Sequence, residues 1–183
     1  MTGTTGTVGV RDATADDADA MGHVHVAAWR AVYRGMLSSA FLDALDPAVR
    51  GDAWRTAIDD DPTPTGWRRL VGTLDGEVVG IALVGPDSLD PDGPDGEVHL
   101  INVAPDAWGS GVATALFAEC VQTLASLEHR DAVLWVASEN LRARRFYERE
   151  GWHRDGGERM NEIGGSEIPT VRYRSSLSSP SAS

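Results

Sequence analysis

The chain has 183 residues, of which 42% are hydrophobic, and this length suits one folded domain with a sizeable core. All 16 basic residues are arginines, against 28 aspartates and glutamates, so the formal net charge is −12 at pH 7. This balance argues against nucleic acid as a partner, because binding phosphates along a strand requires a basic surface. The single cysteine, Cys120, excludes an intramolecular disulfide and a multi-cysteine metal site, and its apolar neighbours predict a small buried hydrophobe.

The two ends of the chain lack apolar periodicity. We expect residues 1–7 and 178–183 to be flexible and residues 8–177 to form one domain. The start has neither the basic segment nor the apolar core of a signal peptide, and no apolar run approaches the roughly 18 residues of a membrane span. We therefore expect a cytoplasmic protein with no membrane partner.

The first half of the chain predicts strands mixed with helices. A strand over 8–14 precedes a helix that begins at Thr14 or Asp16 and ends at Gly35. Further helices are predicted within 38–58, followed by two strands that meet in a tight hairpin. The hairpin turn is Asp75-Gly76, a dipeptide that adopts left-handed backbone angles.

The second half begins with an acidic loop, rich in proline and glycine, over 86–96. A strand over 97–103 follows, and then a helix over 110–127. The rest is predicted as a strand over 132–138, a helix over 139–151 and a closing pair of strands. Early hairpins and late interleaved helices favour an α+β or mixed α/β fold.

The segment APDAWGSGVATALF, residues 104–117, places a glycine-rich turn directly before a helix. A helix N-terminus carries free N–H groups and binds anions, and Gly109 and Gly111 remove side chains that would hold a phosphate away. A P-loop is excluded because the chain has no lysine, and Thr114 departs from the dinucleotide fingerprint. Taken alone, the motif fits either a phosphate cradle or an ordinary loop before a core helix.

Two spaced motifs resemble the GNAT superfamily of N-acetyltransferases, over roughly residues 8–177. VAPDAWGSGVATAL resembles its acyl-coenzyme A loop, in which Arg or Gln, two residues, Gly, one residue and Gly or Ala open a helix. Gly111 and Ala113 match the small positions, whereas Trp108 stands at the Arg or Gln position. SENLRARRFYEREGW resembles the family's next helix, and the matching residues are Asn140, Ala143, Phe146, Tyr147, Glu148, Gly151 and Trp152.

The resemblance implies a GNAT-like fold, with a mixed, mostly antiparallel sheet of six to seven strands flanked by about four helices. It implies acetyl-coenzyme A as co-substrate, no metal, and pairing of the pantetheine arm with the backbone of Asn102 and Val103 and with Asn140. From the residues alone, Asn140 can equally be a helix cap. The implied coenzyme-binding residues are Asn102, Val103, Trp108, Gly109, Ser110, Gly111, Val112, Ala113, Asn140, Ala143 and Tyr147.

Acetyl transfer to an amine needs a base that deprotonates the ammonium and an acid that protonates the departing thiolate. The resemblance implies Glu97 as the base and Tyr147 as the acid. Strand alternation places residues 97, 99 and 101 on one face, so His99 can share or replace the role of Glu97. From the residues alone, Glu97 can also be a solvated charge, His99 a sheet histidine and Tyr147 a core aromatic. The apolar setting of Cys120 argues against an acetyl-cysteine intermediate, which favours direct transfer in a ternary complex.

The expected acceptor is a small-molecule primary amine. The alternatives are a peptide or protein N-terminus, or a non-catalytic module that senses acyl-coenzyme A. A homodimer is possible, and His23 and His25 lie on different helix faces, which disfavours a metal pair. The arginines at 142, 144 and 145 either reach coenzyme phosphates or form a solvated helix face.

Overall fold

The computed structural model describes residues 6–61 and 66–177, in which seven strands form one sheet with five α-helices packed around it. The strands are β1 (Val8–Asp12), β2 (Arg68–Leu74), β3 (Glu77–Pro86), β4 (Gly96–Val103), β5 (Asp131–Ala137), β6 (His153–Ile163) and β7 (Ser166–Ser176). The helices are α1 (Ala18–Val32), α2 (Ser39–Asp43), α3 (Pro47–Asp60), α4 (Val112–Ser126) and α5 (Leu141–Arg149).

The sheet has the order β1-β2-β3-β4-β5-β7-β6, with β4 and β5 parallel and the other five neighbouring pairs antiparallel. The predicted mixed, mostly antiparallel sheet is therefore confirmed. Helix ends follow local signals: Ser38 and Asp46 accept backbone N–H bonds at the starts of α2 and α3. The hairpin between β2 and β3 turns at Asp75 and Gly76, with φ values of 53° and 90°.

The termini predicted to be flexible lie mostly outside the described residues, which exclude 1–5 and 178–183. Thr7 is described, and it exchanges two hydrogen bonds of 2.8 Å with Asp75, one to the backbone and one to the side chain. The boundaries of the domain remain a prediction.

Helices cover both faces of the sheet. On one face α4 packs its buried Leu116, Phe117 and Leu124 against sheet residues that include Leu134 and Tyr173. On the other face lie α1 and α3, and the apolar cluster there is formed by Met21, Val24, Ile58, Val71 and Ile81. Burial of these side chains supplies the main driving force that holds the layers together.

The feature that positions the site is a gap between β4 and β5. Their parallel pairing covers only Gly96 with Ala132 and Glu97 with Val133. Beyond these pairs β4 runs on to Val103 beside β3, while β5 stays beside β7, so the two halves of the sheet separate. We call the space between residues 98–103 and 134–137 the inter-strand cleft.

Candidate active site

A glycine turn lies at the open end of the inter-strand cleft. A short 3-10 turn over Pro105–Ala107 joins β4 to this turn, and α4 begins immediately after it. Gly109 and Gly111 have φ values of 85° and 94°, which side chains rarely adopt. A Cβ on Gly109 would have no atom within 4 Å, and one on Gly111 would reach only Val8, at 4.0 Å. The turn therefore leaves an open space where a ligand can approach the backbone.

The first N–H groups of α4 face this space without intrahelical partners. Val112, Ala113 and Thr114 occupy the first three helical positions, whose N–H groups cannot bond within the helix. The Ser110 hydroxyl oxygen accepts from the Val112 N–H in a long bond of 3.4 Å. These donors and the positive end of the helix dipole suit a phosphate group.

The edge of β4 that borders the cleft presents the backbone of Val103. The Ala104 N–H donates to the Val79 carbonyl of β3 at 2.8 Å. Because backbone groups alternate between the two edges of a strand, Val103 faces the cleft and the Asn102 backbone faces β3. Of the pair predicted to bind pantetheine, only Val103 therefore offers its N–H to the cleft. Asn102 has instead a buried Nδ2 that lacks a partner among the described residues.

Glu97 is buried at the closed end of the cleft, where β4 and β5 still pair. Glu97 is only 3% exposed, so it is not the solvated charge that the residues alone allowed. Its Oε2 accepts from the Ser88 N–H at 2.8 Å, and its Oε1 lies 3.4 Å from Nδ1 of His99. The acidic loop over 86–96 thus anchors this carboxylate through its own backbone.

His99 is held beside Glu97 by two contacts. Its Nε2 lies 2.9 Å from the Pro86 carbonyl oxygen, and its ring stacks on Trp67 with centroids 4.6 Å apart. A carbonyl can only accept, so this bond places a proton on Nε2. In the neutral ring, Nδ1 therefore presents a lone pair to Oε1 of Glu97. One further proton between these two atoms would form a hydrogen bond.

The predicted common face of residues 97, 99 and 101 is wrong for Ile101. The strand register passes from Leu83–Leu100 to Val84–Val98, so His99 is an extra residue in a β-bulge. The bulge turns Ile101 towards the core cluster around α4, while Glu97 and His99 remain in contact. Strand alternation could not reveal this, because a bulge breaks the two-residue period.

Tyr147 lies on α5 inside an aromatic cluster and is 7% exposed. Its ring centroid is 5.4 Å from that of Phe117 and 6.0 Å from that of Tyr173. Burial, with smaller contributions from Cys120 and Tyr33, raises the pKa of its hydroxyl. The phenol therefore stays protonated at neutral pH. The packing expected of a core aromatic is present, and it leaves the group able to donate a proton.

Asn140 caps α5, because its side-chain oxygen accepts from the Ala143 N–H at 3.1 Å. The Nδ2 group of the same carboxamide remains available as a donor. Ala143 packs against the main core cluster. The arginines at 142, 144 and 145 differ in their contacts. Arg144 donates to the Ser138 carbonyl and the Tyr173 hydroxyl, Arg142 stacks on Trp108, and Arg145 is exposed.

Cys120 is fully buried on α4, as predicted. Burial is the main cause that raises the pKa of its thiol to about 12. A thiol with this pKa is neutral and unreactive at physiological pH. It is therefore unsuited to carry an acetyl group.

The structure adds two features that no sequence pattern indicated. Trp108 donates from Nε1 to the Val103 carbonyl at 2.9 Å, across the 3-10 turn that precedes the glycines. A shallow cavity of about 130 Å³ opens between the α1–α2 loop, the residues after β5 and strand β7, and Glu139 and Glu167 lie in its wall. The cavity joins segments far apart in the chain, so local patterns are silent about it. The Trp108 bond spans only five residues, but it depends on the orientation of the indole ring, which residue spacing does not indicate.

Over residues 6–61 and 66–177, no group of three or more His, Cys, Asp or Glu side chains is arranged to hold a metal ion. Within the same part of the chain, no helix is long and apolar enough to cross a membrane.

Comparison with known proteins places this arrangement in a family. Residues 26–152 match the Acetyltransferase (GNAT) family. A probable N-acetyltransferase of Mycobacterium tuberculosis, Rv2775, is 26% identical over 93% of this chain and 95% of its own. The chain belongs to the GNAT acetyltransferase family. The predicted superfamily, and with it the prediction of an acetyl-coenzyme A dependent acetyltransferase, is confirmed at the level of the family.

Solved structures share the fold. The PaiA N-acetyltransferase of Thermoplasma acidophilum, in complex with coenzyme A, gives a TM-score of 0.69 at 14% identity and covers 90% of this chain and 98% of its own. YncA of Salmonella typhimurium, a putative acetyltransferase with acetyl-CoA, gives a TM-score of 0.67 at 19% identity and covers 96% of each chain. The predicted GNAT fold is thus confirmed.

Proposed function

We propose that this protein transfers the acetyl group of acetyl-coenzyme A to a small primary amine, directly and in a ternary complex. The observation that carries the proposal is the buried Glu97–His99 pair at the closed end of a cleft whose open end carries the glycine turn. One site then offers a proton acceptor and an anion cradle at the two ends of the same gap. Cys120, neutral and buried, gives no route through an acetylated cysteine.

The residues present fit coenzyme A. The empty space over Gly109 and the free N–H groups at the start of α4 suit a pyrophosphate. The Val103 N–H and Asn140 Nδ2 are placed to bind amides of a pantetheine arm in the cleft. When bound, the coenzyme supplies an acetyl thioester whose carbonyl carbon accepts the amine. Two neighbours in fold, PaiA and YncA, were solved with coenzyme A or acetyl-CoA, which supports this assignment.

Glu97 and His99 act together as the base in this proposal. With Nε2 donating to Pro86, the unprotonated pair sets a lone pair of Nδ1 against a carboxylate oxygen 3.4 Å away. Uptake of one proton from the ammonium turns that repulsion into a charge-assisted hydrogen bond. The Ser88 N–H bond fixes the carboxylate while this happens. A positioned base of this kind contributes about 10²- to 10⁴-fold to rate.

Tyr147 acts as the acid. Its raised pKa keeps the hydroxyl protonated until the reaction needs it. Its ring is fixed by Phe117 and Tyr173, so the hydroxyl holds one position at no further entropic cost. From there it donates to the sulfur as negative charge develops on it.

The acceptor enters from the side of the shallow cavity. Glu139 and Glu167 lie in its wall, and the whole chain carries a net charge of −12. An ammonium group is drawn to such a surface by electrostatic steering. This supports an amine acceptor and is equally compatible with a peptide N-terminus, so the experiment includes both.

The test is to follow thiol release from acetyl-coenzyme A against amino acids, amino sugars, polyamines and short peptides, with products identified by mass. Acetylation of one small amine class well above hydrolysis supports the proposal. Acetylation of peptides alone replaces it with an N-terminal acetyltransferase. Tight coenzyme binding without turnover on any amine replaces it with a sensor.

The role of Tyr147 needs a matched pair of variants. Tyr147→Phe should lower kcat by about 10²-fold, since it removes the proton donor. Tyr173→Phe, in the same aromatic cluster, loses hydrogen bonds to Glu148 and Arg144 and should keep kcat within about threefold. Equal losses in both variants would reduce Tyr147 to a packing role.

A further inference from the structure

We propose that Arg142 binds a phosphate group of the coenzyme and that Trp108 positions it. This inference rests on coenzyme binding at the glycine turn, which is part of the proposed function. It concerns two residues that lie on different elements, one on each side of the open end of the inter-strand cleft.

Trp108 is the fixed member of the pair. Its Nε1 donates to the Val103 carbonyl at 2.9 Å, which ties the indole to the end of β4. Trp108 is 37% exposed, so the ring lies at the protein surface. Trp108 also directly precedes Gly109 in the chain, so the ring borders the turn that suits a phosphate.

Arg142 comes from the other side of the cleft. It follows the α5 cap, Asn140, by two residues, and its guanidinium carbon lies 4.1 Å from the centroid of the Trp108 ring. A guanidinium over a ring face is held by cation–π attraction and keeps the N–H groups at its edge free. The pair therefore delivers a rigid cation to the neighbourhood of the glycine turn.

No acidic partner within 4 Å neutralises Arg142 in the described part of the chain. Six other arginines do form ion pairs with carboxylates: Arg11, Arg55, Arg68, Arg154, Arg172 and Arg174. Arg144, two residues away, is bound to the Ser138 carbonyl and the Tyr173 hydroxyl. Arg142 is itself exposed, so its charge is accessible to an anionic ligand.

Trp108 leaves the glycine turn without a charged side chain of its own. The loop pattern that this segment resembles has Arg or Gln at position 108, whereas tryptophan carries no charge. Arg142 restores a donor fork, and arginine binds phosphate through paired N–H groups. The coenzyme has two sources of this chemistry, the pyrophosphate and the 3′-phosphate, and the experiment separates them.

The experiment measures equilibrium dissociation constants by calorimetry for coenzyme A and for dephospho-coenzyme A, which lacks the 3′-phosphate. Arg142→Ala should weaken coenzyme A binding by about tenfold or more, because a charge-assisted pair is lost. Arg142→Lys should recover only part of this, since lysine lacks the planar fork. The matched control is Arg145→Ala, which removes the same charge from an exposed position of the same helix and should change binding less than about twofold.

The two ligands identify the phosphate. If the loss in Arg142→Ala disappears with dephospho-coenzyme A, the contact is to the 3′-phosphate, and if it persists, the contact is to the pyrophosphate. Either result supports the proposal. Equal binding by the Arg142→Ala and Arg145→Ala variants overturns it while leaving the proposed function intact. Failure of the unmodified protein to bind coenzyme A overturns both.

The positioning role of Trp108 is tested by a double-mutant cycle and by salt. In a Trp108→Ala background, Arg142→Ala should cost less than about threefold, because the arginine is no longer held in place. Arg142→Ala should also flatten the dependence of coenzyme affinity on ionic strength. A full tenfold cost in the Trp108→Ala background would show that Arg142 needs no support from the ring.

Discussion

The two ends of the inter-strand cleft are built in different ways. The open end, which we assign to the coenzyme, relies on backbone: the positive φ values of Gly109 and Gly111, the edge of Val103 and the capped start of α5. The closed end, where we place the base, relies on side chains. There Glu97 contacts His99, and His99 stacks on Trp67, which directly precedes β2.

This difference distinguishes binding of the coenzyme, which depends on backbone geometry, from the choice of acceptor, which we expect to depend on individual side chains. Backbone amides bind any phosphate, and their geometry depends on a few glycines and caps. Side chains such as Glu97 and Glu167 can change without altering the fold, so under the proposed function we expect the choice of amine to depend on side chains of this kind. Four predictions test this contrast, beginning with the largest expected effect.

Glu97→Gln should lower kcat by about 10²-fold or more, because an amide cannot accept the proton of the ammonium. The amide oxygen can still accept from Ser88, so the affinity for coenzyme A should stay within about twofold of the parent. Initial rates at saturating coenzyme, with calorimetry for binding, measure the two effects separately. A loss of coenzyme affinity as large as the loss of rate would blur the contrast between the two ends.

A suitable control for Glu97→Gln is Asp87→Asn. Asp87 is also buried, at 4% exposure, and its Oδ1 accepts from the Leu89 N–H in the same acidic loop. Its replacement changes a buried carboxylate without touching His99. We expect kcat within about threefold of the parent, since the carboxamide oxygen of asparagine can still accept the hydrogen bond from the Leu89 N–H. A large loss would mean that the loop, rather than Glu97, limits the rate.

The second prediction concerns the interior of the protein, where His25 of α1 is 7% exposed and stacks on Trp29. Burial, with a smaller effect of Arg50, lowers the pKa of His25 to about 4. The unfolded chain, with a pKa of about 6.5, therefore binds more protons than the folded chain between pH 6.5 and 4. His25 therefore has no pH-dependent effect on the free energy of unfolding above pH 6.5. Below this pH it lowers the free energy of unfolding, by up to about 3 kcal/mol as the pH drops to 4.

Denaturant unfolding at several pH values measures this fall. His25→Leu should remove the part of the fall between pH 6.5 and 4 that belongs to this ring, whose nitrogens have no partner among the described residues. His23→Gln is the matched control, since His23 lies on the same helix, is exposed and bonds only to the Asp19 carbonyl. Parallel curves for parent and His25→Leu would contradict the prediction.

The third prediction addresses the open end. Gly109→Ala and Gly76→Ala place the same Cβ at φ values of 85° and 90°, with no atom within 4 Å in either case. Both should cost about 1 kcal/mol of stability from backbone strain. Only Gly109→Ala should weaken coenzyme A binding, by about tenfold, because its Cβ enters the space over the turn. Equal coenzyme binding by both variants would show that the turn does not hold the phosphate.

The contrast also explains what could be predicted from sequence. The glycine turn, the Asn140 cap and the Asp75-Gly76 hairpin are local, so residue type and spacing indicate them directly. The Glu97 position came from resemblance to a family, and its burial was not foreseen. Local signals describe backbone shape well because a glycine or a cap acts within a few residues.

Long-range side-chain contacts were not predictable in this way. No glycine or proline next to His99 indicates the bulge in the sequence. The bulge arises from the pairing of β4 with β3. Trp135 lies beneath the guanidinium groups of Arg159 and Arg172, whose carbons are 4.2 Å and 5.5 Å from the ring centroid. Such contacts depend on how distant strands register, and residue spacing along one segment carries no information about that.

The smallest expected effect concerns Cys120, which lies between the two ends on the core side of α4. Cys120→Ala should leave kcat within about twofold, because a fully buried thiol with a pKa of about 12 cannot act as a nucleophile. Initial rates with both substrates varied should give intersecting lines, as a ternary complex requires, whereas a covalent acetyl-cysteine gives parallel lines. A large loss of kcat in Cys120→Ala, with folding intact and parallel lines in the parent, would replace direct transfer by a two-step route. Intersecting lines together with an active Cys120→Ala variant would support direct transfer by the groups that border the cleft.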